Sequence, residues 1–153
     1  MKTLEQIKSD LETQIKAPLT VEGNSLIVPK EKIREAAQFL KNNSEYKMDY
    51  LSCLTGTDYK EYLEVTYHLY SMEKKEGPVV LKTRTDREKS LVPSVTPVWR
   101  GAEYQEREAY DLLGIHFEGH PDLRRILMWE GFEFYPLRKD YVQEDQDRDL
   151  KNV

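Results

Sequence analysis

The sequence predicts an α/β fold of the α+β kind, with an antiparallel-rich sheet, two N-terminal helices on one of its faces, a third helix and an irregular C-terminal arm. Apolar residues recur at helical spacing early in the chain and alternate with polar residues in its middle. Gly and Pro then interrupt both patterns. We expect an α/β core over residues 1–90, a helix and extended docking arm of the same domain over 91–141, and a flexible tail over 142–153.

Two apolar stripes predict the N-terminal helices. Apolar residues three and four apart predict an amphipathic helix from about Leu4 to Lys16, which Pro18 ends. Pro29 suits the start of a second helix, which ends near Asn42. The stripe of the second helix comprises Ile33, Ala36, Ala37 and Leu40.

Five short segments predict the strands. Leu19–Val21 and Leu26–Val28 flank a Gly-containing turn and predict a hairpin. Met48–Leu54 is partly apolar on both faces, whereas Leu63–Tyr70 alternates and predicts a strand with one face in water. A polar turn then leads to Val79–Thr85, which completes an antiparallel sheet.

The pattern changes after residue 86. Pro93 and Pro97 interrupt the next apolar segment, and Ala102–Leu113 has helical character that Gly114 ends. The following segment mixes apolar, charged, Gly and Pro residues and predicts an irregular arm. Such an arm is too apolar to remain in water, so we expect it to pack on its own sheet or on a partner.

Composition excludes several classes of protein. The 153 residues carry a net charge of −5, which predicts one soluble domain and disfavours nonspecific nucleic-acid binding. Cys53 is the only cysteine, so the chain supplies neither an internal disulfide nor four thiolates for an iron–sulfur cluster. The glycines have neither the G-x-G spacing of a dinucleotide site nor a G-K-[ST] phosphate loop. No apolar run approaches about 20 residues, and the N-terminus lacks a signal-peptide core, which favours a cytoplasmic location.

Three local chemistries are open for the third helix and the arm. His116 and His120, with Asp111 and Asp122 nearby, are conceivable metal ligands, although a histidine bonded within a turn is the simpler interpretation. Glu108, Asp111 and His120 are candidates for acid–base catalysis in an enzyme. The simpler interpretation of that helix is a ladder of ion pairs four residues apart, Glu103 to Arg107 and Arg107 to Asp111.

Four cations of the arm admit a further alternative. They are Arg124, Arg125, Arg138 and Lys139. Such a group can bind phosphate in a nucleic acid, but the adjacent Asp122 and Asp140 weaken that interpretation. The same side chains can instead bond to backbone groups that an irregular arm leaves unpaired.

Three motifs occur in order over the last third of the chain, with Pro93-Ser94-Val95-Thr96 ahead of them. They are Glu106-Arg107-Glu108-Ala109-Tyr110-Asp111-Leu112-Leu113-Gly114-Ile115, Gly119-His120-Pro121-Asp122-Leu123-Arg124-Arg125-Ile126-Leu127 and Pro136-Leu137-Arg138-Lys139-Asp140-Tyr141. Together they closely resemble the signature of the 30 kDa subunit family of respiratory-chain NADH dehydrogenase, complex I.

The resemblance implies a non-catalytic structural subunit in the peripheral arm of a complex I-like NADH:quinone oxidoreductase, on the cytoplasmic face of the cell membrane. It implies docking onto the 49 kDa-type quinone-site subunit and contact with iron–sulfur subunits, in support of electron transfer and ion translocation by the whole complex. Members of the family hold no redox centre, so FMN and iron–sulfur clusters are expected in partner subunits and no cofactor in this chain. The implied docking and structural residues are Glu106, Arg107, Glu108, Asp111, Gly114, His120, Pro121, Arg124, Arg125, Pro136, Arg138, Lys139 and Asp140.

One departure from the family pattern leaves the electron donor open. NADH dehydrogenase members usually have Gly-His ahead of Pro-Leu-Arg-Lys-Asp, where this chain has Phe134-Tyr135. Related subunits of membrane-bound nickel–iron hydrogenases and other complex I-like enzymes share these motifs. The equivalent subunit of such an enzyme is therefore the alternative to a subunit of NADH dehydrogenase.

Overall fold

A computed structural model describes residues 2–143 of the chain. In order, its helices and strands are α1 (Leu4–Ile15), β1 (Thr20–Glu22), β2 (Ser25–Ile27), a 3-10 turn (Lys30–Lys32), α2 (Ile33–Asn42), β3 (Tyr50–Asp58), β4 (Leu63–Ser71), β5 (Glu76–Thr85), β6 (Leu91–Pro93), α3 (Ala102–Leu113) and β7 (His116–Glu118). The mixed α/β class, the three helices and the irregular arm confirm the prediction. The predicted flexible tail, 142–153, lies outside the described residues except for its first two.

Both N-terminal helices form where the apolar stripes predict them. The Thr3 side chain accepts a hydrogen bond from the Gln6 N–H, and the Gln6 side chain accepts from the Thr3 N–H, which satisfies two free donors at the start of α1. The helix ends before Pro18, because Lys16 takes a left-handed conformation with φ 53°. The apolar stripes of α1 and α2 belong to the same buried core as the inward-facing strand residues.

The main sheet has five strands in the order β1-β2-β5-β4-β3. The pairs β1–β2, β3–β4 and β4–β5 are antiparallel, but β2 pairs with β5 in parallel, with Leu26 opposite Leu81. The sheet is therefore antiparallel-rich but mixed. After β2 the chain passes through α2 to the far edge strand β3, and β4 and β5 then lead back until β5 lies parallel to β2. Inward residues of β4 such as Val65 and Tyr67 alternate with outward Thr66 and His68, as the sequence predicts.

Two strands differ in extent from the prediction. β3 begins at Tyr50 and continues to Asp58, and a register shift between Leu51 and Cys53 changes which residues face the core. An alternation count misses such a bulge, because the extra residue inverts the pattern. β5 begins at Glu76, inside the predicted turn.

The third helix covers the outer edge of β3. Gln105 of α3 accepts a hydrogen bond from the Leu54 N–H at 2.5 Å, which occupies a donor of this edge strand. Gly56 permits the close approach, since a Cβ atom there would lie 2.5 Å from a Leu113 methyl group. The helix that leads into the irregular arm is thereby fixed on the sheet.

A short second sheet follows the main one. β6 and β7 pair in parallel, with Val92 opposite Phe117 and both side chains buried. The sequence analysis missed this sheet because three-residue strands beside Pro93 and Gly119 leave too little alternation to recognise. It brings the segment before α3 next to the segment after it.

Candidate functional site: the docking segment

The docking segment, residues 106–141, is organised around the buried carboxylate of Asp111. One carboxylate oxygen accepts the N–H groups of Ile126, Leu127 and Met128 at 3.0, 2.6 and 2.8 Å. The other accepts Arg125 Nη1 at 2.8 Å. Burial would raise the pKa of Asp111, but the Met128 N–H, the Arg125 guanidinium and the two other N–H groups outweigh it and hold the pKa below its ordinary value. Asp111 therefore attaches the arm to α3 as an anion.

Arg107 attaches the same stretch of the arm from the other side. Its Nε and Nη2 donate to the carbonyl oxygens of Arg124 and Arg125 at 3.1 and 3.0 Å. The predicted ladder from Glu103 through Arg107 to Asp111 is therefore wrong: among residues 2–143, the ion pair of Asp111 is with Arg125. The irregular arm offers unpaired carbonyl groups, and these outcompete the neighbours on the helix.

Tyr135 lies between two guanidinium groups. Its ring centroid is 5.2 Å from Arg125 Cζ and 4.8 Å from Arg138 Cζ, which are cation–π distances. Arg138 also donates to the Leu113 carbonyl at 2.7 Å. Gly114 has φ +73°, and a Cβ atom there would lie 2.7 Å from the Tyr135 ring. Tyr135, one of the two residues that stand where the family usually has Gly-His, thus packs inside the arm.

Asp58, at the end of β3, holds the distal end of the arm. It accepts the Lys139 N–H at 2.8 Å and the Lys60 N–H at 2.7 Å, and it pairs with Arg87. Burial would raise the pKa of Asp58, but these N–H groups and Arg87 outweigh it and hold the pKa below its ordinary value. Arg87 also pairs with Asp140 at 3.0 Å.

Asp58 and Arg87 hold the arm in place, and the sequence analysis missed both. They lie 29 positions apart and outside the motifs, so only the folded chain brings them to the arm. The turn preference of Asp after a strand was the one local indication for Asp58.

The two candidate metal histidines are used otherwise. The Asp122 N–H donates to His120 Nδ1 at 2.9 Å, so Nε2 carries the proton and donates to the Glu103 carbonyl at 2.9 Å. His116 packs edge-on against Tyr110. Within residues 2–143, no group of three His, Cys, Asp or Glu side chains is placed to hold a metal ion.

The three candidate catalytic residues are also separated. Glu108 is exposed, Asp111 is fully buried and paired with Arg125, and His120 is bonded in its turn. They do not share an open cleft, which removes the geometric basis for the catalytic hypothesis.

The remaining predicted residues include a cation, Arg124, and two prolines, Pro121 and Pro136. Arg124 is exposed and pairs with Asp122 at 2.8 Å, so the four cations do not form an open phosphate surface. Pro121 is exposed at the start of the arm, and Pro136 is partly buried beside the Leu137 N–H bond to the Leu112 carbonyl.

The outer face of the arm is apolar and exposed. Trp129 and Phe134 are 64% and 58% exposed, although the backbone beneath them is held by Asp111 and Arg125. The rings of Trp129, Phe132, Phe134 and Tyr141 contact one another edge-on or tilted, with 4.6 Å between the centroids of Trp129 and Phe132. We call these four residues the aromatic patch. They line an open cavity of about 900 Å³.

Comparison with known proteins decides the family. The family described as "Respiratory-chain NADH dehydrogenase, 30 Kd subunit" matches residues 26–147, which include strands β3 to β5 of the main sheet and all of residues 106–141. The chain belongs to this family. The resemblance stated from the motifs is confirmed.

Two relatives from bacteria share close to half of their residues with this chain over the aligned region. The C 2 subunit of NADH-quinone oxidoreductase from Rhizobium meliloti (strain 1021) is 52% identical over 117 residues, which cover 74% of this chain and 63% of the relative. The C/D subunit of NADH-quinone oxidoreductase from Phocaeicola vulgatus is 47% identical over 115 residues, which cover 74% of this chain but only 22% of the relative. The chain thus matches under two thirds of the length of these relatives.

A solved structure extends the likeness to a related complex. This chain is similar to one in the membrane-bound sulfane sulfur reductase, an archaeal respiratory membrane complex, with a TM-score of 0.71 and 26% identity over 99% of this chain and 91% of that one. None of the helices formed by residues 2–143 has the length and apolar character needed to cross a bilayer.

Proposed function

We propose that this chain is a non-catalytic structural subunit in the peripheral arm of a complex I-like NADH:quinone oxidoreductase, where its docking segment binds the 49 kDa-type quinone-site subunit. One observation carries the proposal: Trp129 and Phe134 of the aromatic patch are exposed on a backbone that the buried carboxylates of Asp111 and Asp58 hold in place. Exposed aromatic residues on a preordered surface are typical of the centre of a protein interface. FMN and the iron–sulfur clusters then belong to partner subunits.

The fused relative supports the choice of partner. In Phocaeicola vulgatus a segment similar to this chain is part of a longer protein whose name joins the letters C and D. Subunits joined in one polypeptide are confined near each other, which suits a stable contact. In this role the chain supports electron transfer and ion translocation by holding its neighbours in position, on the cytoplasmic face of the membrane.

The test is co-purification with a co-expressed 49 kDa-type subunit. The double variant Trp129→Ser/Phe134→Ser should lower the affinity on the order of tenfold or more, since exposed aromatic anchors often dominate an interface. Met72→Ser is the matched control, because Met72 is also 64% exposed but lies beyond β4. Binding that is unchanged by the double variant, or absent in the unmodified chain, contradicts the proposal.

The likeness to the sulfane sulfur reductase favours one alternative, the equivalent subunit of a membrane-bound nickel–iron hydrogenase or other complex I-like enzyme. The two candidates differ in the complex that contains the chain. Purification from native membranes separates them: an NADH-oxidising complex supports the first, whereas a nickel-containing or sulfur-reducing complex without NADH oxidation supports the second.

A further inference from the structure

Glu106 is a buried carboxyl group that no contact of the arm explains. It lies on the inner side of α3 and is fully buried. The Val95 N–H donates to Glu106 Oε1 at 2.7 Å, and Ser94 Oγ lies 2.7 Å from Glu106 Oε2. The carboxyl group therefore faces the segment between β6 and α3, away from the arm.

A row of hydroxyl groups leads from this carboxyl to the surface. Ser94 Oγ lies 2.7 Å from Thr96 Oγ1, and either atom can be the donor. The Thr96 N–H donates to Ser94 Oγ at 3.1 Å in either case. Ser94 is buried, whereas Thr96 is partly exposed. The row thus runs from a buried carboxyl group to a partly exposed residue, and both directions of donation satisfy the groups in it.

We propose that Glu106 is a reversible proton-binding site, connected with solvent by a relay through the hydroxyl groups of Ser94 and Thr96. In the ionised state Thr96 donates to Ser94, and Ser94 donates to Glu106. On uptake, Thr96 Oγ1 takes one proton from solvent and passes its own to Ser94, and Ser94 passes its own to Glu106 Oε2. One O–H bond forms on Glu106, each hydroxyl keeps one hydrogen, and the direction of donation is reversed.

The groups that face Glu106 fit such a site. From α2, Arg34 donates to the Ser94 and Glu118 carbonyls at 2.8 Å, so its charge is held near the site and favours the ionised form. From β4, the buried hydroxyl of Tyr67 has no hydrogen-bond partner among residues 2–143. Burial, and then the charge of Glu106, raise the pKa of Tyr67 well above its ordinary value. Tyr67 therefore stays neutral and does not compete for the proton.

The balance of these effects places the titration near neutral pH. Burial raises the pKa of Glu106 to about 7, against the smaller opposing effects of Ser94, the Val95 N–H and Arg34. Both protonation states are therefore occupied in the physiological range. The charge on the inner side of α3 changes by one unit when Glu106 binds a proton.

The proposal is tested by carbon-13 NMR of the full chain labelled at glutamate carboxyl groups. The Glu106 signal is assigned by its loss in Glu106→Gln. In the unmodified chain the chemical shift of this signal should change continuously with pH, and the midpoint of the change should lie near neutral pH. Thr96→Val retains the bond between Ser94 and Glu106 but removes the outer hydroxyl, so proton exchange should slow and two separate signals should replace the moving one.

Two controls isolate the relay from a general effect on structure. Thr96→Ser restores the hydroxyl and should restore the moving signal. Thr57→Val changes a partly exposed threonine of β3 and should leave the signal as in the unmodified chain. A Glu106 signal that does not move between acid and mildly alkaline pH overturns the proton site. Equal behaviour of Thr96→Val and Thr57→Val overturns the relay.

Discussion

The carboxylate of Asp111 has four donors within 3.0 Å, three of them consecutive backbone N–H groups. Charge-assisted hydrogen bonds of this kind are shorter and stronger than neutral ones. They also replace the water that burial removes from the carboxylate. At the scale of single residues, the shape of the arm thus depends on a few anions that the core supplies.

Asp111→Asn tests this dependence. The amide keeps the size of the side chain but cannot accept four bonds, and it leaves Arg125 without its anion. We expect a loss of about 3–5 kcal/mol in the free energy of unfolding, measured by urea titration. Asp122→Asn is the control, since its pair with Arg124 is exposed to solvent and should contribute little to stability. Equal losses in both variants would count against the role of Asp111.

Glu106→Gln tests the pH dependence of stability. Folding raises the pKa of Glu106 from 4.5 to about 7, so between these values the unfolded chain releases a proton that the folded chain keeps. The free energy of unfolding of the unmodified chain should therefore fall relative to Glu106→Gln as pH rises through this window, by up to about 3 kcal/mol. Urea titrations at several pH values measure it, with the exposed Glu108→Gln as the control. A difference that is independent of pH contradicts the expectation.

Among the elements, α3 connects the sheet with the arm. It contacts β3 through Gly56 and Gln105, and it ends at Gly114, where the chain turns back beneath Tyr135. The position of the arm therefore depends on where and how this helix ends.

Gly114→Ala tests the end of α3. A Cβ atom at φ +73° is strained, and here it would also meet Tyr135 and Arg138 within 3 Å. We expect a loss of about 1–2 kcal/mol in stability and faster amide hydrogen exchange in the arm, measured by mass spectrometry. Gly101→Ala is the control, because a Cβ atom there meets nothing within 4 Å. A variant that exchanges like the unmodified chain would refute the steric argument.

The elements that the sequence predicts well are those with their own periodicity. α1, α2 and α3 have apolar stripes and end signals, and their predicted bounds agree with the structure to within about a turn. The parallel pairing of β2 with β5 and the small second sheet depend on contacts between distant segments. Local patterns contain no information on such pairings.

At the scale of the whole molecule, the family could be recognised from the sequence, but the contacts within residues 106–141 could not. The motifs place Asp111, Arg107 and Arg125 close in sequence, and charge spacing alone favoured an ion-pair ladder. In the structure, the guanidinium of Arg107 instead donates hydrogen bonds to backbone carbonyl groups of the arm. The sequence does not show which backbone groups of an irregular arm lack a partner, because this depends on the folded conformation.

The two tryptophans provide a test of docking in the intact chain. Trp129 is 64% exposed, whereas Trp99 is 5% exposed and its indole N–H donates to the Met48 carbonyl. We expect iodide to quench Trp129 fluorescence selectively, and a bound 49 kDa-type subunit to protect it. Trp129→Phe should remove the quenchable component and serves as the control. Quenching that is unaffected by the partner would argue against contact at the aromatic patch.

The anchoring of the arm by Asp58 and Asp111 also bears on the order of events during synthesis. Both carboxylates leave the ribosome before the residues that they bind, since Lys139 follows Asp58 by 81 positions and Met128 follows Asp111 by 17. The last strand of the main sheet ends at Thr85, so all five strands are synthesised before Asp111 and the arm. Among residues 2–143, the arm gains its anchors only once the end of β3 and α3 are in place. We therefore expect the aromatic patch to form after the sheet and α3 have folded.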